Sequence, residues 1–144
     1  GAAASFNNPY GVAVSPDAGT VYVADAANNR IRKIDTSDGD TTTLAGSGTF
    51  GFADGTGAAA SFNFPRSVAV SPDGVTLYVA DSDGDTTTLA GSGTGTFADG
   101  TGAAASFNFP TGVAVSPDGV TLYVADAANN RIRKIDTSDG DTTT

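Results

Sequence analysis

The chain has 144 residues, with 7 Lys and Arg against 16 Asp and Glu and a formal net charge of −9. That excess of negative charge argues against nucleic acid and against insertion at anionic membrane surfaces. The sequence contains no Cys, His, Met or Trp, which excludes disulfides, thiolate and imidazole metal centres, and the histidine base of the common hydrolases.

The predicted elements repeat. The string GAAASFNNPYGVAVSPD begins at Gly1 and returns from Gly57 as GAAASFNFPRSVAVSPD and from Gly102 as GAAASFNFPTGVAVSPD. In copy one, residues 11–15 form the first strand candidate, with Val12 and Val14 on one face. Residues 20–24 form the second, with Val21 and Val23 opposite Tyr22 in period two. Residues 30–34 form the third, rich in long charged side chains as befits an outer position. Residues 41–45 form the fourth, β-branched and mostly polar. Turn residues fall between them: Pro16, Asp17 and Gly19; Asp25 to Asn29; and Ser37, Asp38 and Gly39. No stretch has helical periodicity, although a single turn fits the short alanine run after Gly1.

A glycine-rich linker, GSGTFGFADGTG over residues 46–57, joins copy one to copy two. Phe50, Phe52, Phe62 and Phe64 are expected to pack as core beneath it. Copy two lacks the eleven residues equivalent to 26–36 and therefore the third strand, passing from Val79-Ala80-Asp81 directly to Ser82-Asp83-Gly84. A tight turn at Ser82-Asp83-Gly84 would mark a genuine junction, whereas a spatial break after Asp81 would mark omitted residues. Copy three restores the missing strand and runs to Thr144. One repeat array thus spans 1–144, divided as 1–56, 57–101 and 102–144.

Gly112–Asp136, reading GVAVSPDGVTLYVADAANNRIRKID, together with TTTLAG and ADGTGAAASFNFP, resembles NHL repeats over nearly the whole chain. The resemblance implies an all-β fold of NHL-type β-propeller blades. About three would come from one chain, half of a six-bladed ring, with the middle blade incomplete. It also implies a turn role for Asp25, Asn28, Asn29 and Arg30 and for Asp126, Asn129, Asn130 and Arg131, each aspartate accepting hydrogen bonds between the second and third strands. Family propellers serve mostly as binding platforms. The related metal-dependent hydrolase and lyase propellers use histidine, which this chain lacks.

Candidate chemistry is sparse, and no catalytic, cofactor-binding or metal-ligating set is assigned. Asp81, Asp83 and Asp85 have the alternate spacing of a calcium loop, but Thr86 and Ser92 stand where an EF-hand needs Gly and Glu, so a hairpin turn is the simpler reading. The threonine runs at 41–43, 86–88 and 142–144 read as edge-strand β-formers, with O-glycosylation of an exposed edge as the sharper reading. Asp17, Asp73 and Asp118 read as turn formers rather than as a ring of carboxylates around a propeller axis. The clusters Arg30, Arg32, Lys33 and Arg131, Arg133, Lys134 read as solvated strand faces.

Three blades without caps leave apolar faces and strand edges at both ends of the array. The expectation is a non-enzymatic, self-assembling structural protein that pairs with itself as a closed dimer or open filament. Its setting would be extracellular or at the cell surface, in keeping with the missing cysteine and with a processed or excised chain lacking Met and a signal segment at its start. The alternative is a propeller binding module for protein or carbohydrate. The copies differ little outside Asn8-Pro9-Tyr10, Phe64-Pro65-Arg66 and Phe109-Pro110-Thr111.

Overall fold

A computed structural model describes residues 3–82 and 89–144. Four antiparallel strands build the first blade: β1 (Pro9–Val14), β2 (Thr20–Asp25), β3 (Arg30–Asp35) and β4 (Thr41–Ala45), hydrogen-bonded in that order. The second blade holds β5 (Ser67–Val70) and β6 (Leu77–Ala80). The third adds a two-residue strand β7 (Gly100–Thr101) to the outer edge of β8 (Pro110–Val115), β9 (Thr121–Asp126), β10 (Arg131–Asp136) and β11 (Asp141–Thr143). The fold is all-β, a stack of propeller blades whose sheets do not close into a ring. All four strands expected in copy one are present to within a residue or two. Where the alanine run recurs, Gly57–Ala59 forms a single 3₁₀ turn.

The blades meet through their first strands, with β5 lying between β1 and β8. At Gly11 the approach is so close that a Cβ would lie 2.7 Å from the Cα of Ser67. Only glycine fits that crossing. Between blades two and three, the Val113 N–H donates to Ser67 Oγ at 3.2 Å.

The core sits between blades. One cluster joins Ala24 and Ile31 of blade one, Ala60 and Phe62 of the linker, and Val68 of blade two. The other joins Ala105, Phe107, Leu122, Val124 and Ile135, with Tyr78 of blade two packed against it. Each Ile, Phe or Leu so buried contributes roughly 1.5–3 kcal/mol. Of the four linker phenylalanines expected as core, only Phe62 is buried. Phe50 and Phe52 are exposed, because the glycine-rich loop lies open over them rather than covering them.

The β1–β2, β5–β6 and β8–β9 turns explain Asp17, Asp73 and Asp118. Each carboxylate turns back on its own turn. It accepts from Ser15, Ser71 or Ser116 Oγ at 2.5 Å and from the backbone N–H of Gly19, Val75 or Val120 at 3.0, 3.0 and 3.1 Å. The serine hydroxyl, with the N–H behind it, holds each carboxyl below the ordinary carboxylate range. These are turn residues, as expected.

The expectation that the basic clusters are solvated faces fails for two arginines. Arg133 is not solvated: its side chain is fully buried, and Arg32 is 13% exposed. The alternation of β3 and β10 sends these arginines inward, because a buried aspartate waits across the ladder. In blade three β7 pairs with β11 and Thr142 is buried, whereas Thr143 and Thr144, like Thr42 and Thr43 of blade one, are exposed. The turn expected through Asp83 and Gly84, the calcium-loop positions Asp83 and Asp85, and residues 86–88 lie outside the described residues. Asp81 and Ser82, on the near side of that junction, are both buried.

Asp126 and Arg133 are both fully buried and 3.1 Å apart. Removing Asp126 leaves the buried Arg133 with only the half-exposed Asp99, at 2.6 Å, to balance its charge. Asp126→Ala is therefore expected to cost about 3–5 kcal/mol in urea unfolding. Asp25→Ala should cost less, because Arg32 retains contact with water.

Candidate functional site

Three chain crossings bring the site together. Before each first strand the chain passes through one residue with left-handed backbone, then proline, then a variable residue: Asn8-Pro9-Tyr10, Phe64-Pro65-Arg66 and Phe109-Pro110-Thr111. The first of these residues has φ of 52°, 57° and 53° in the three copies. Asparagine tolerates that conformation. Phenylalanine does not adopt it readily, since its Cβ crowds the following carbonyl at a cost of roughly 1–2 kcal/mol. Phe64 and Phe109 are nevertheless held there. Phe109 stays half exposed and displays its ring to solvent, a kind of strain that concentrates at binding sites.

Arg66 stands at the centre of the display. Its guanidinium carbon lies 5.3 Å from the Tyr10 ring centre, 5.7 Å from Phe64 and 5.3 Å from Phe109. Each distance is within cation–π range. Tyr10 and Phe64 meet edge to face at 6.2 Å. Residues from all three blades thus surround one arginine. Arg66 is aimed by a short relay: its Nε donates to Ser82 Oγ at 3.1 Å, and that hydroxyl donates to the Phe64 carbonyl at 3.1 Å. The relay engages one edge of the guanidinium. The arrangement can grip a flat apolar surface on its rings and a carboxylate or carbonyl on its arginine.

The platform beneath is fixed by the aspartate turns. Asp25 accepts the Asn7 N–H at 2.8 Å, Asn28 Nδ2 at 2.9 Å and an Arg32 guanidinium N–H at 3.2 Å. Asp126 accepts the Asn108 N–H at 2.7 Å, Asn129 Nδ2 at 2.9 Å and an Arg133 N–H at 3.1 Å. Asp81 likewise accepts the Asn63 N–H at 2.7 Å. The N–H groups of Asn7, Asn63 and Asn108 belong to the segments leading into the three displayed triplets. Asn29 and Asn130 close the β2–β3 and β9–β10 turns in left-handed backbone, and the Asn29 side-chain oxygen accepts the Phe64 N–H from the next blade at 3.0 Å. The turn role expected of Asp25, Asn28, Asn29, Asp126, Asn129 and Asn130 is what the structure shows. Arg30 and Arg131 are the first residues of β3 and β10, and their side chains reach elsewhere: Arg30 donates to the Ser47 carbonyl at 3.4 Å and Arg131 stacks on Phe97 at 3.6 Å.

The family model for the NHL repeat matches residues 6–34 and 107–135. Two stretches of the chain match the NHL repeat. Over 81 residues this chain is 37% identical to Protein SUPPRESSOR OF QUENCHING 1, chloroplastic, of Arabidopsis thaliana, an alignment covering 56% of this chain and 8% of that protein. Over 79 residues it is 34% identical to NHL repeat-containing protein 2 of Homo sapiens, covering 54% of this chain and 11% of that protein. The chain therefore spans about a tenth of the length of these curated relatives. Among solved structures, an auxiliary nutrient binding protein of Bacteroides thetaiotaomicron superposes with a TM-score of 0.69 at 23% identity, covering 85% of this chain and 36% of that one.

The aromatic–arginine cluster was not named as a site from sequence. Its one signal was that the three triplets differ while the surrounding copies agree. Replacing Phe109 by Asn, the residue that copy one carries at that position, relieves the backbone crowding. Phe109→Asn is expected to raise stability by about 1 kcal/mol, read as a higher midpoint in thermal unfolding.

Proposed function

We propose that this chain is a non-enzymatic binding module that recognises a protein partner through Tyr10, Phe64, Arg66 and Phe109. The observation that carries the reading is the convergence of three rings on Arg66. Aromatic residues and arginine are the side chains that dominate the energetic centres of protein interfaces. The strain accepted at Phe64 and Phe109 supports the same reading, since packing alone gives no reason to place phenylalanine there. A cell-surface or extracellular setting accords with the auxiliary nutrient binding protein of Bacteroides thetaiotaomicron that shares this fold. The test is a random peptide library selected on the intact chain, with the selected binders re-measured on Arg66→Ala. Binders are expected to weaken by roughly 30-fold, the effect of losing an interface hot spot of about 2 kcal/mol. Binders indifferent to Arg66→Ala, or enrichment from a glycan array but not from the peptide library, would reject it.

A second reading, self-association, is favoured by the pattern of burial along the stack. Every blade has two apolar faces. Val68 in blade two is buried against its neighbour, whereas Val12, at the same place in blade one, is 65% exposed, and Val14 on the same face is 52% exposed. At the other end Ile132 is 62% exposed, while its counterpart Ile31 is buried. The two open faces are the two sides of one blade-to-blade contact, so a second copy fits head to tail. Sedimentation of the wild-type chain is expected to show association that increases with concentration. Val12→Asp and Ile132→Asp chains should each be monomeric alone and form a capped dimer when mixed, since each keeps the opposite face. A wild-type chain that stays monomeric at high concentration would rule this reading out.

A further inference from the structure

We propose that the rim of blade one carries a preformed receptor for an extended Phe-x-Asp-Gly segment of a partner protein. Blade three supplies the template. There the linker segment 96–101, TFADGT, lies across Asn129, Arg131, Arg133, Asp141 and Thr142. Phe97 stacks on Arg131 at 3.6 Å and, with Phe107, sandwiches the Arg133 guanidinium. Arg133 Nη2 donates to the Asp99 carboxylate at 2.6 Å and to the Ala98 carbonyl at 2.8 Å. Asn129 Nδ2 donates to the Thr96 carbonyl at 3.0 Å. Gly100 and Thr101 then pair as a short strand with Thr142 and Asp141.

Blade one repeats these receiving groups. Residues 25–43 and 126–144 have the same sequence, and β2–β3 and β9–β10 pair in the same register. Arg32 Nη1 donates to Asp25 and the Ser5 carbonyl, as Arg133 Nη1 donates to Asp126 and the Ser106 carbonyl. The groups that would hold the segment are therefore already aimed. They are also open to solvent. Asn28, Arg30, Arg32, Asp40 and Thr41 line, with residues 3–5, a groove of about 470 Å³. Phe6, which meets Arg32 at 5.4 Å, is 36% exposed, whereas its counterpart Phe107 is 5% exposed. Arg32 keeps contact with water where Arg133 has none. Among the described residues nothing accepts from Arg32 Nη2. Gly1 and Ala2, at the groove's edge in sequence, carry neither a ring nor a carboxylate.

The chemistry that fits is read from blade three. A carboxylate on Arg32 Nη2 makes a charge-assisted hydrogen bond. An aromatic ring two residues before it stacks on Arg30 and closes the open face of Arg32. The glycine after it lets the segment run on as a strand beside Asp40 and Thr41, a recurring mode of peptide recognition. Because the arginine is held in place beforehand, little freedom is lost on binding. The donor is a separate protein rather than a second copy. Of this chain's two Phe-Ala-Asp-Gly-Thr segments, 97–101 is engaged by its own blade three. In the other, Ala53 pairs with Ser61, and Ala53, Asp54 and Gly55 wall the apolar cavity inside the stack.

The test uses the intact chain and a fluorescent peptide with the sequence of residues 93–102, GTGTFADGTG. Saturable binding is expected, weakened at least about tenfold by Asp99→Asn or Phe97→Ala in the peptide and by Arg30→Ala in the chain. The peptide changes leave the chain untouched, so a folding defect cannot mimic them. A chain with GTGTFADGT fused ahead of Gly1 fills its own groove and should no longer bind. Absent binding, equal binding of a scrambled peptide, indifference to Asp99→Asn, or undiminished binding to the fused chain would each overturn the proposal. Binding that falls with Arg66→Ala but not with Arg30→Ala would place the peptide in the aromatic cluster and overturn it too. Dimers of the chain alone that the peptide dissolves would assign the groove to a second copy and overturn the choice of partner.

Discussion

A buried carboxylate at the end of each second strand ties the chain together. Asp25, Asp81 and Asp126 each take the N–H of the asparagine that leads into the first strand, eighteen residues earlier. In blades one and three the same carboxylate also takes the turn asparagine and the arginine of the third strand. One side chain thus fixes the entry to the blade, its sharpest turn and the register of its third strand. A buried charge is tolerable only when every neighbouring group answers it. Both terminal nitrogens of Arg133 are answered, by Asp126, Asp99 and the carbonyls of Ser106 and Ala98, and the guanidinium is sandwiched by Phe97 and Phe107, while its buried Nε has no hydrogen-bond partner. Arg32 has a looser version, with Asp25, the Ser5 carbonyl and the Phe6 ring. The segment that supplies Asp99 and Ala98 to Arg133 lies between blades two and three, so a blade is completed by the linker before it.

The same dependence governs the apolar side chains. No blade buries its own faces, and one residue type changes environment with position in the stack. Ile31 is buried against blade two, while Ile132, on the outer face of the third blade, is exposed. Ala69, covered on both sides of its blade, is buried, while Ala114 is exposed. Burial here is decided by neighbours rather than by the local sequence. A cavity of about 730 Å³ is lined by members of both apolar clusters.

Strand positions were legible in the sequence because they rest on local signals: period-two alternation, β-branched residues, and turns built from Pro, Asp, Asn and Gly. The aspartate turns were legible through the family resemblance. The inward arginines were not. RIRKID alternates charged and aliphatic residues, and alternation cannot say which face is inside. Reading that required the aspartate seven residues upstream, whose burial makes the arginine side the wet side's opposite. Phe50 and Phe52 misled for a related reason: aromatic character argues for burial, but glycines around them give no surface to pack against. The recognition cluster was invisible as a cluster, since Tyr10 and Phe109 are nearly a hundred residues apart. Only the failure of the copies to match at those triplets marked the place.

That mismatch has a practical meaning. The three displayed triplets ride on a framework that the copies otherwise share, and each is presented by the same bend and the same proline. Framework and display are therefore encoded in separate letters. Exchanging Tyr10, Arg66 and Thr111 among the copies would redraw the displayed surface while the architecture beneath it stays as it is.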